Sequence, residues 1–182
     1  MLVEGDRILL RGHERADAAA LADILTRNRV FFRPFEPERP ERLLTVRGQQ
    51  EDIARWQREW RNDGAYAFVV ALREGGTIVG RVALTNVVRF AWLNANLGYF
   101  IDQDHNGRGY GTEAVRLATR FAFRDAGLHR LQAAVRVDNA RSIRVLEKAG
   151  YRREALAERY LFIDGAWRDM YLYAQTAEEL LG

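Results

Sequence analysis

The stretch HNGRGYGTEAVRLATRFAF, residues 105–123, sets glycine at 107, 109 and 111 and then runs straight into apolar residues at helical spacing. No other feature limits the possible folds as much. Glycines on alternate positions between a strand and a helix allow positive φ and leave the backbone free of Cβ atoms. Successive N–H groups there, backed by the positive end of a helix dipole, form a cradle for an anion, best suited to a phosphate or pyrophosphate. Taken alone, the stretch also reads as a flexible turn. A P-loop is excluded, because Gly-Thr-Glu stands at 111–113 where Gly-Lys-Ser/Thr is required. GYGTEA at 109–114 fits G-x-G-x-x-A, and Asp138 lies near where a ribose-binding acid belongs. That dinucleotide reading needs a tighter turn after the strand, and a second nucleotide-binding half for which too little chain remains.

The pattern on either side predicts a mixed sheet with helices on both faces, an α/β (α+β) class. Residues 7–14 read as a strand and 16–27 as a helix. Residues 28–44 hold all three prolines and clustered phenylalanines and read as an ordered loop with an aromatic surface. Helical spacing over 49–63 puts Ile53, Trp56 and Trp60 on one face. A hairpin over 65–88 turns at Gly75-Gly76, and a strand follows at 94–102. The helix after the glycines extends over 110–126 and stops at Gly127. A strand at 131–137, a capped helix at 139–150 and a terminal hairpin, 151–163 with 168–176, complete the order. Trp56, Trp60 and Trp92 are expected in or partly in the core.

The 182 residues fit one domain, 1–182. No apolar run is long enough to span a bilayer, and the charged N-terminus does not read as a signal peptide, so no membrane association and a cytoplasmic address are expected. Cysteine is absent, which removes disulfides and a covalent cysteine intermediate. His13, His105 and His129 are scattered, so no metal site is expected. The net charge of +3 is almost all arginine, since Lys148 is the only lysine, and it is too small to argue for direct nucleic-acid binding.

A second segment, VDNARSIRVLEKAGYRREA at 137–155, resembles the last conserved segment of the GCN5-related N-acetyltransferases. The glycine stretch resembles their acetyl-CoA loop, Gln/Arg-x-x-Gly-x-Gly/Ala, one helix and one strand earlier. TRNRVFFRPFEP, TIVGRVALTNVVRF, LGYFIDQDHNGRGYGTEA and YLFIDGAWRDMYLYA extend the likeness to the RimJ/RimL branch, nearest its RimJ side. The resemblance implies a mostly antiparallel central sheet splayed in the middle, where the strand at 97–102 parts from that at 131–137. It also implies acetyl-CoA as cosubstrate. The pantetheine arm would pair with the backbone near Tyr99, Phe100 and Ile101, and the pyrophosphate would rest on the loop Asn106, Gly107, Arg108, Gly109, Tyr110, Gly111 and Thr112. Asn106 stands where Gln or Arg is usual, so coenzyme affinity would lean on Arg108.

The resemblance further implies coenzyme-contacting and catalytic roles for Asn139 and Ser142, the serine hydroxyl meeting the thioester sulfur. Ordinary helix-start capping is the competing reading for both. Phe32, Phe35 and Glu36 would line the acceptor side, against simple packing of the loop. The glutamate that RimL-like enzymes carry before the terminal turn is Leu161 here, and none of Glu36, Glu158 and Asp164 can be selected as base. The branch acetylates the N-terminal amines of ribosomal proteins, so the expected acceptor is a protein N-terminus, a ribosomal protein included. The alternatives are a small-molecule amine (polyamine, aminoglycoside or toxic peptide-nucleotide) and a non-catalytic acyl-CoA-binding module. A monomer or homodimer is expected.

Overall fold

In the computed structural model, which describes residues 1–181, β1 (Leu2–Glu4) and β2 (Ile8–Gly12) precede α1 (Ala18–Arg27), a one-turn α2 (Arg29–Phe32) and α3 (Val46–Arg61). β3 (Tyr66–Leu72), β4 (Ile78–Val88) and β5 (Asn94–Ile101) follow, then α4 (Tyr110–Arg124), β6 (Arg130–Arg136) and α5 (Ala140–Lys148). β7 (Arg152–Ile163), β8 (Ala166–Thr176) and α6 (Ala177–Leu181) close the described chain. The strands form one sheet in the order β1-β2-β3-β4-β5-β6-β8-β7. Every neighbouring pair is antiparallel except β5 and β6.

Side-chain alternation along β3 assigns the helices to the two faces. Phe68 and Val70 pack with Val115, Ala118 and Phe121 of α4. Ala67 and Val69 point the other way, to Trp56, and to Ala18, Leu21 and Ile53 of α1 and α3. Burying each large apolar side chain contributes about 1.5–3 kcal/mol, so both faces are fixed by ordinary hydrophobic packing. Trp60 leaves the company of Ile53 and Trp56. It lies where α3 passes the end of β3, and its ring meets Tyr66, Phe68 and Phe121 at 4.9–5.7 Å, on the α4 face.

The structure departs from the sequence expectations in four places. β1 pairs by backbone with β2 and buries almost nothing, so hydrophobic alternation gave no sign of it. α6 is likewise a short terminal turn of helix. The segment 28–44 is not wholly loop: α2 completes a turn before Pro34, and a 3-10 turn, Glu41–Leu44, forms once Pro40 is passed. Trp92, expected at least partly in the core, stands 52% exposed beside Phe90 at the β4–β5 turn. Among the described residues, no helix is long and apolar enough to cross a membrane. No group of three or more His, Cys, Asp or Glu there could hold a metal ion.

His13 is buried, with Nδ1 3.2 Å from the Ala67 carbonyl and no partner for Nε2. Burial first, and the Arg81 guanidinium second, lower its pKa to about 4. The unfolded chain takes up this proton near pH 6.5 and the folded chain resists it, so stability is full above that value and drains as pH falls toward 4. The window corresponds to roughly 3 kcal/mol. Denaturant titrations at pH 7 and pH 4 should show His13→Asn losing less stability than the parent by about that amount, and equal losses would disprove the assignment.

Candidate active site

β5 is bonded to β4 along its whole length but to β6 only at Asn94, Ala95 and Asn96, opposite Arg130, Leu131 and Gln132. A side-chain bond, Gln132 Nε2–H to Asn96 Oδ1 at 2.8 Å, marks the last rung. Beyond it the strands part, because β6 follows β8 from Arg130 through Arg136. The Asp102 N–H donates to the Val79 carbonyl at 2.8 Å. Antiparallel alternation then directs the backbone groups of Phe100 to β4 and those of Leu97, Tyr99 and Ile101 into the gap. The gap opens into a cleft of about 980 Å³.

At one end of the cleft lies the glycine loop. Gly107 and Gly109 have φ of +77° and +82°, values that side chains rarely adopt. Gly111 lies inside the first turn of α4, whose leading N–H groups, Tyr110 to Thr112, have no carbonyl within the helix to bond. Glu113 does not cap them. Its carboxylate accepts from the Arg7 and Ile8 N–H groups at 2.9 and 3.3 Å and from Arg7 Nε at 3.0 Å, while Arg7 Nη1 donates to the Arg108 carbonyl at 2.6 Å. The loop is thus tied to β2 from behind, and its amides are free in front. Asp102 anchors the other flank by accepting from Arg27, Asn28 and His105 at 2.6–2.9 Å. Burial opposes its charge, but these donors hold its carboxyl below the usual range.

Asn106, Gly107, Gly109, Tyr110, Gly111 and Thr112 line the cleft, as do Tyr99, Phe100, Ile101, Asn139 and Ser142. The Arg108 side chain does not; it turns back to the Asp104 carbonyl at 3.3 Å. The cations facing the cleft from α5 are instead Arg141, Arg144 and Lys148, which the sequence reading passed over. Asn139 is the N-cap of α5, its Oδ1 accepting from the Ser142 N–H at 3.2 Å. Ser142 makes no reciprocal cap: its Oγ is 2.7 Å from the Tyr99 hydroxyl. Burial pushes the Tyr99 phenol's pKa up, against the Ser142 hydrogen bond, so it keeps its proton at neutral pH. Two linked hydroxyls beside seam-facing amides can stabilise charge as it develops on a leaving group and on an oxyanion.

Across the cleft stand Phe32, Phe35 and Glu36. Phe32 packs on Phe100, ring centroids 5.4 Å apart, and Glu36 is held by Arg39 through two bonds of 2.5 and 2.6 Å. Leu161 lines the cleft as an apolar wall, whereas Glu158 is exposed on β7 and Asp164 accepts from Arg33 at 2.7 Å. Glu36 is therefore the sole carboxylate among the described lining residues.

A Cβ at Gly109 would sit 2.9 Å from Arg7 Nη2 on a left-handed backbone, whereas one at Gly111 would make ordinary 3.6 Å contacts with Ile101 and Val145. Thermal unfolding should show Gly109→Ala losing about 1–2 kcal/mol and Gly111→Ala losing nothing; the opposite order would contradict this account of the loop.

Residues 7–152 match the Acetyltransferase (GNAT) domain family. The chain is 37% identical over 173 residues to a probable N-acetyltransferase, YjcK, of Bacillus subtilis, covering 95% of this chain and 96% of that protein. It is 34% identical over 174 residues to the [Ribosomal protein uS5]-alanine N-acetyltransferase of Escherichia coli, covering 96% and 90%. Mycobacterium smegmatis RimJ, solved in complex with CoA-disulfide, superposes with a TM-score of 0.91 at 34% identity, over 96% of this chain and 84% of that one. With a family match over most of its length, and relatives of this identity along nearly all of it, the chain belongs to the GNAT family and is an N-acetyltransferase.

Proposed function

We propose that the enzyme acetylates the α-amino group of a protein N-terminus, of the ribosomal-protein-alanine kind, using acetyl-CoA. The observation that carries this reading is the charge of the cleft. Glu36, the sole carboxylate among the described lining residues, has both oxygens engaged by Arg39, while Arg81, Arg141, Arg144 and Lys148 face the same space. A polyamine or aminoglycoside calls for an acidic pocket, and a lysine side chain calls for a strong base. An α-amine with pKa about 8 is roughly a tenth neutral at pH 7, against a few parts in ten thousand for lysine. A cleft without a free carboxylate favours the α-amine. The 34% identical Escherichia coli relative, named for alanine acetylation on a ribosomal protein, supports the same acceptor.

The residues present fit the coenzyme. The bare amides from Gly107 to Thr112 suit its pyrophosphate, the seam-facing backbone of Tyr99 and Ile101 suits the amides of its pantetheine arm, and Arg144 and Lys148 add positive charge. When bound, acetyl-CoA supplies a thioester carbonyl open to attack and a thiolate that leaves. The N–H groups of Leu97, Tyr99 and Ile101 are the available oxyanion donors. The Tyr99 hydroxyl lies 2.7 Å from Ser142 Oγ, and with the tyrosine as donor in that pair the serine proton is free to turn toward the sulfur. Serine is a weak acid, so this stabilises charge more than it transfers a proton. With no cysteine in the chain, the amine attacks directly in a ternary complex.

Ser142→Ala should lower kcat about a hundredfold and Tyr99→Phe about tenfold, with the acetyl-CoA dissociation constant of each variant within about twofold of the parent. Full turnover in Ser142→Ala would remove the serine from the chemistry. An acceptor screen with acetyl-CoA, setting Ala-, Ser- and Met-starting peptides beside polyamines and aminoglycosides, should give CoA release with the peptides. Release confined to the small amines would overturn the acceptor, and none with any amine would leave a silent acyl-CoA binder.

A further inference from the structure

Arg81 is a guanidinium on the acceptor side of the cleft whose donors the protein leaves largely unused. Its side chain is 13% exposed, and its single hydrogen bond runs from Nη1 to Asp52 Oδ2 at 3.3 Å. Asp52 is already engaged, by Arg55 at 2.7 and 3.1 Å and by the Trp56 indole N–H at 2.9 Å. The Nε and Nη2 groups of Arg81 have no protein partner, yet neither is among the sealed-off polar atoms of the described residues, so they open onto the cleft that Arg81 lines. The guanidinium is held beside two rings, 5.4 Å from the Trp56 centroid and 5.3 Å from that of Phe100. Arg39 lies 5.3 Å from the same Phe100 ring. Burial first, and the like charge of Arg39 second, lower the Arg81 pKa to about 10, which leaves it charged at neutral pH and incompletely compensated. Arg39, Arg55 and Arg81 share only Glu36 and Asp52, so the cluster keeps one positive charge.

We propose that Arg81 is an acceptor-binding residue that takes a carboxylate carried close to the reacting amine. A planar guanidinium with free N–H groups, fixed by stacking and partly shielded from water, matches that ion in shape and charge. Its place in the sheet sets the distance. Arg81 is the register partner of Phe100, one residue from Tyr99, and neighbouring strands lie about 4.8 Å apart. Phe100 and Tyr99 point to opposite faces, so the carboxylate sits on the face away from Ser142, next to the seam. The same ion could come from an acidic second residue of a peptide or from the free α-carboxylate of a very short acceptor. This inference rests on the N-terminal reading for the first source only.

The test is a set of kcat/KM values for the parent enzyme and Arg81→Met. The acceptors are C-terminally amidated hexapeptides beginning Ala-Glu, Ala-Gln and Ala-Lys, with Ala-Ala as free acid and as amide. The parent should prefer Ala-Glu to Ala-Gln on the order of tenfold to a hundredfold, with Ala-Lys poorest. Arg81→Met should bring the Glu/Gln ratio close to one with acetyl-CoA affinity retained. Equal rates on Ala-Glu and Ala-Gln, with no preference for free acid over amide, would overturn the carboxylate site while leaving the N-terminal reading intact. A preference that survives in Arg81→Met would also overturn it. Turnover of the free dipeptide alone would uphold the site and defeat the protein N-terminus as acceptor. Should Arg81→Met fail to fold, the parent's Glu/Gln and acid/amide ratios decide the matter unaided.

Discussion

The separation of β5 from β6 is the constraint around which the remainder is arranged. A parallel pair that stops after Asn96 and Gln132 leaves backbone donors and acceptors of Leu97, Tyr99 and Ile101 with no strand to bond. Dry burial of such groups would cost about 1–3 kcal/mol each, so the gap must stay open to water or be filled by a chain with its own amides. An extended ligand that inserts there gains main-chain hydrogen bonds as an added strand does. The opening is not slack in the fold. β6 is committed to β8 through seven paired residues, β5 to β4, and the Gln132–Asn96 bond fixes where they diverge.

Arginine chemistry decides the electrostatics on both sides of that gap. Glu113, which could have satisfied the first turn of α4, is drawn backward by Arg7. Glu36 is taken by Arg39, Asp52 by Arg55, Asp102 by Arg27 and Asp138 by Arg136. Carboxylates near the cleft therefore serve as anchors for loops and helices, while backbone N–H groups and spare guanidinium donors face inward. A modest net charge of +3 becomes a distinctly positive cavity because of where the pairs lie, not because of how many cations the chain has. The same pairing deprives the cleft of a free carboxylate, which is why the acidity of the acceptor amine carries so much weight in the choice of substrate.

Much of this was legible in the sequence. The glycines announced a bare helix N-terminus, and Asn139 with Ser142 announced the start of α5, since local backbone demands leave local signatures. The splay was reached only through resemblance, because strand divergence is a property of three strands together and no single strand encodes it. Arg108 is a related case: a cation inside a glycine loop looks aimed at the ligand, whereas its side chain here bonds the Asp104 carbonyl behind it. Arg81 left a signal that went unused, a charged residue in the otherwise apolar run IVGRVAL. Asp52 sits similarly on the buried side of α3. An arginine in a central strand and an acid on a covering helix are a complementary pair, and together they mark a polar site within the core. Trp92 shows the converse, an aromatic whose type suggests burial at a turn that leaves half of it exposed.

Strand geometry also explains how one short segment can serve two substrates at once. Successive residues of β5 face opposite sides of the sheet. Tyr99 sends its hydroxyl to Ser142 on the α5 side, and Phe100 sends its ring to Phe32, Arg39 and Arg81 on the α1–α2 side. Between them, the seam-facing backbone of Tyr99 lies within one residue's rise, about 3.3 Å, of both neighbourhoods. On the proposed reading, the donor reaches this point from the glycine loop and the acceptor from the aromatic wall, so their reactive ends converge without either crossing the other's binding surface. Direct transfer then needs no acyl-enzyme. The sheet itself supplies proximity, and proximity on that scale is worth several kcal/mol of barrier, of the order of 7–11 kcal/mol in the best-oriented intramolecular cases.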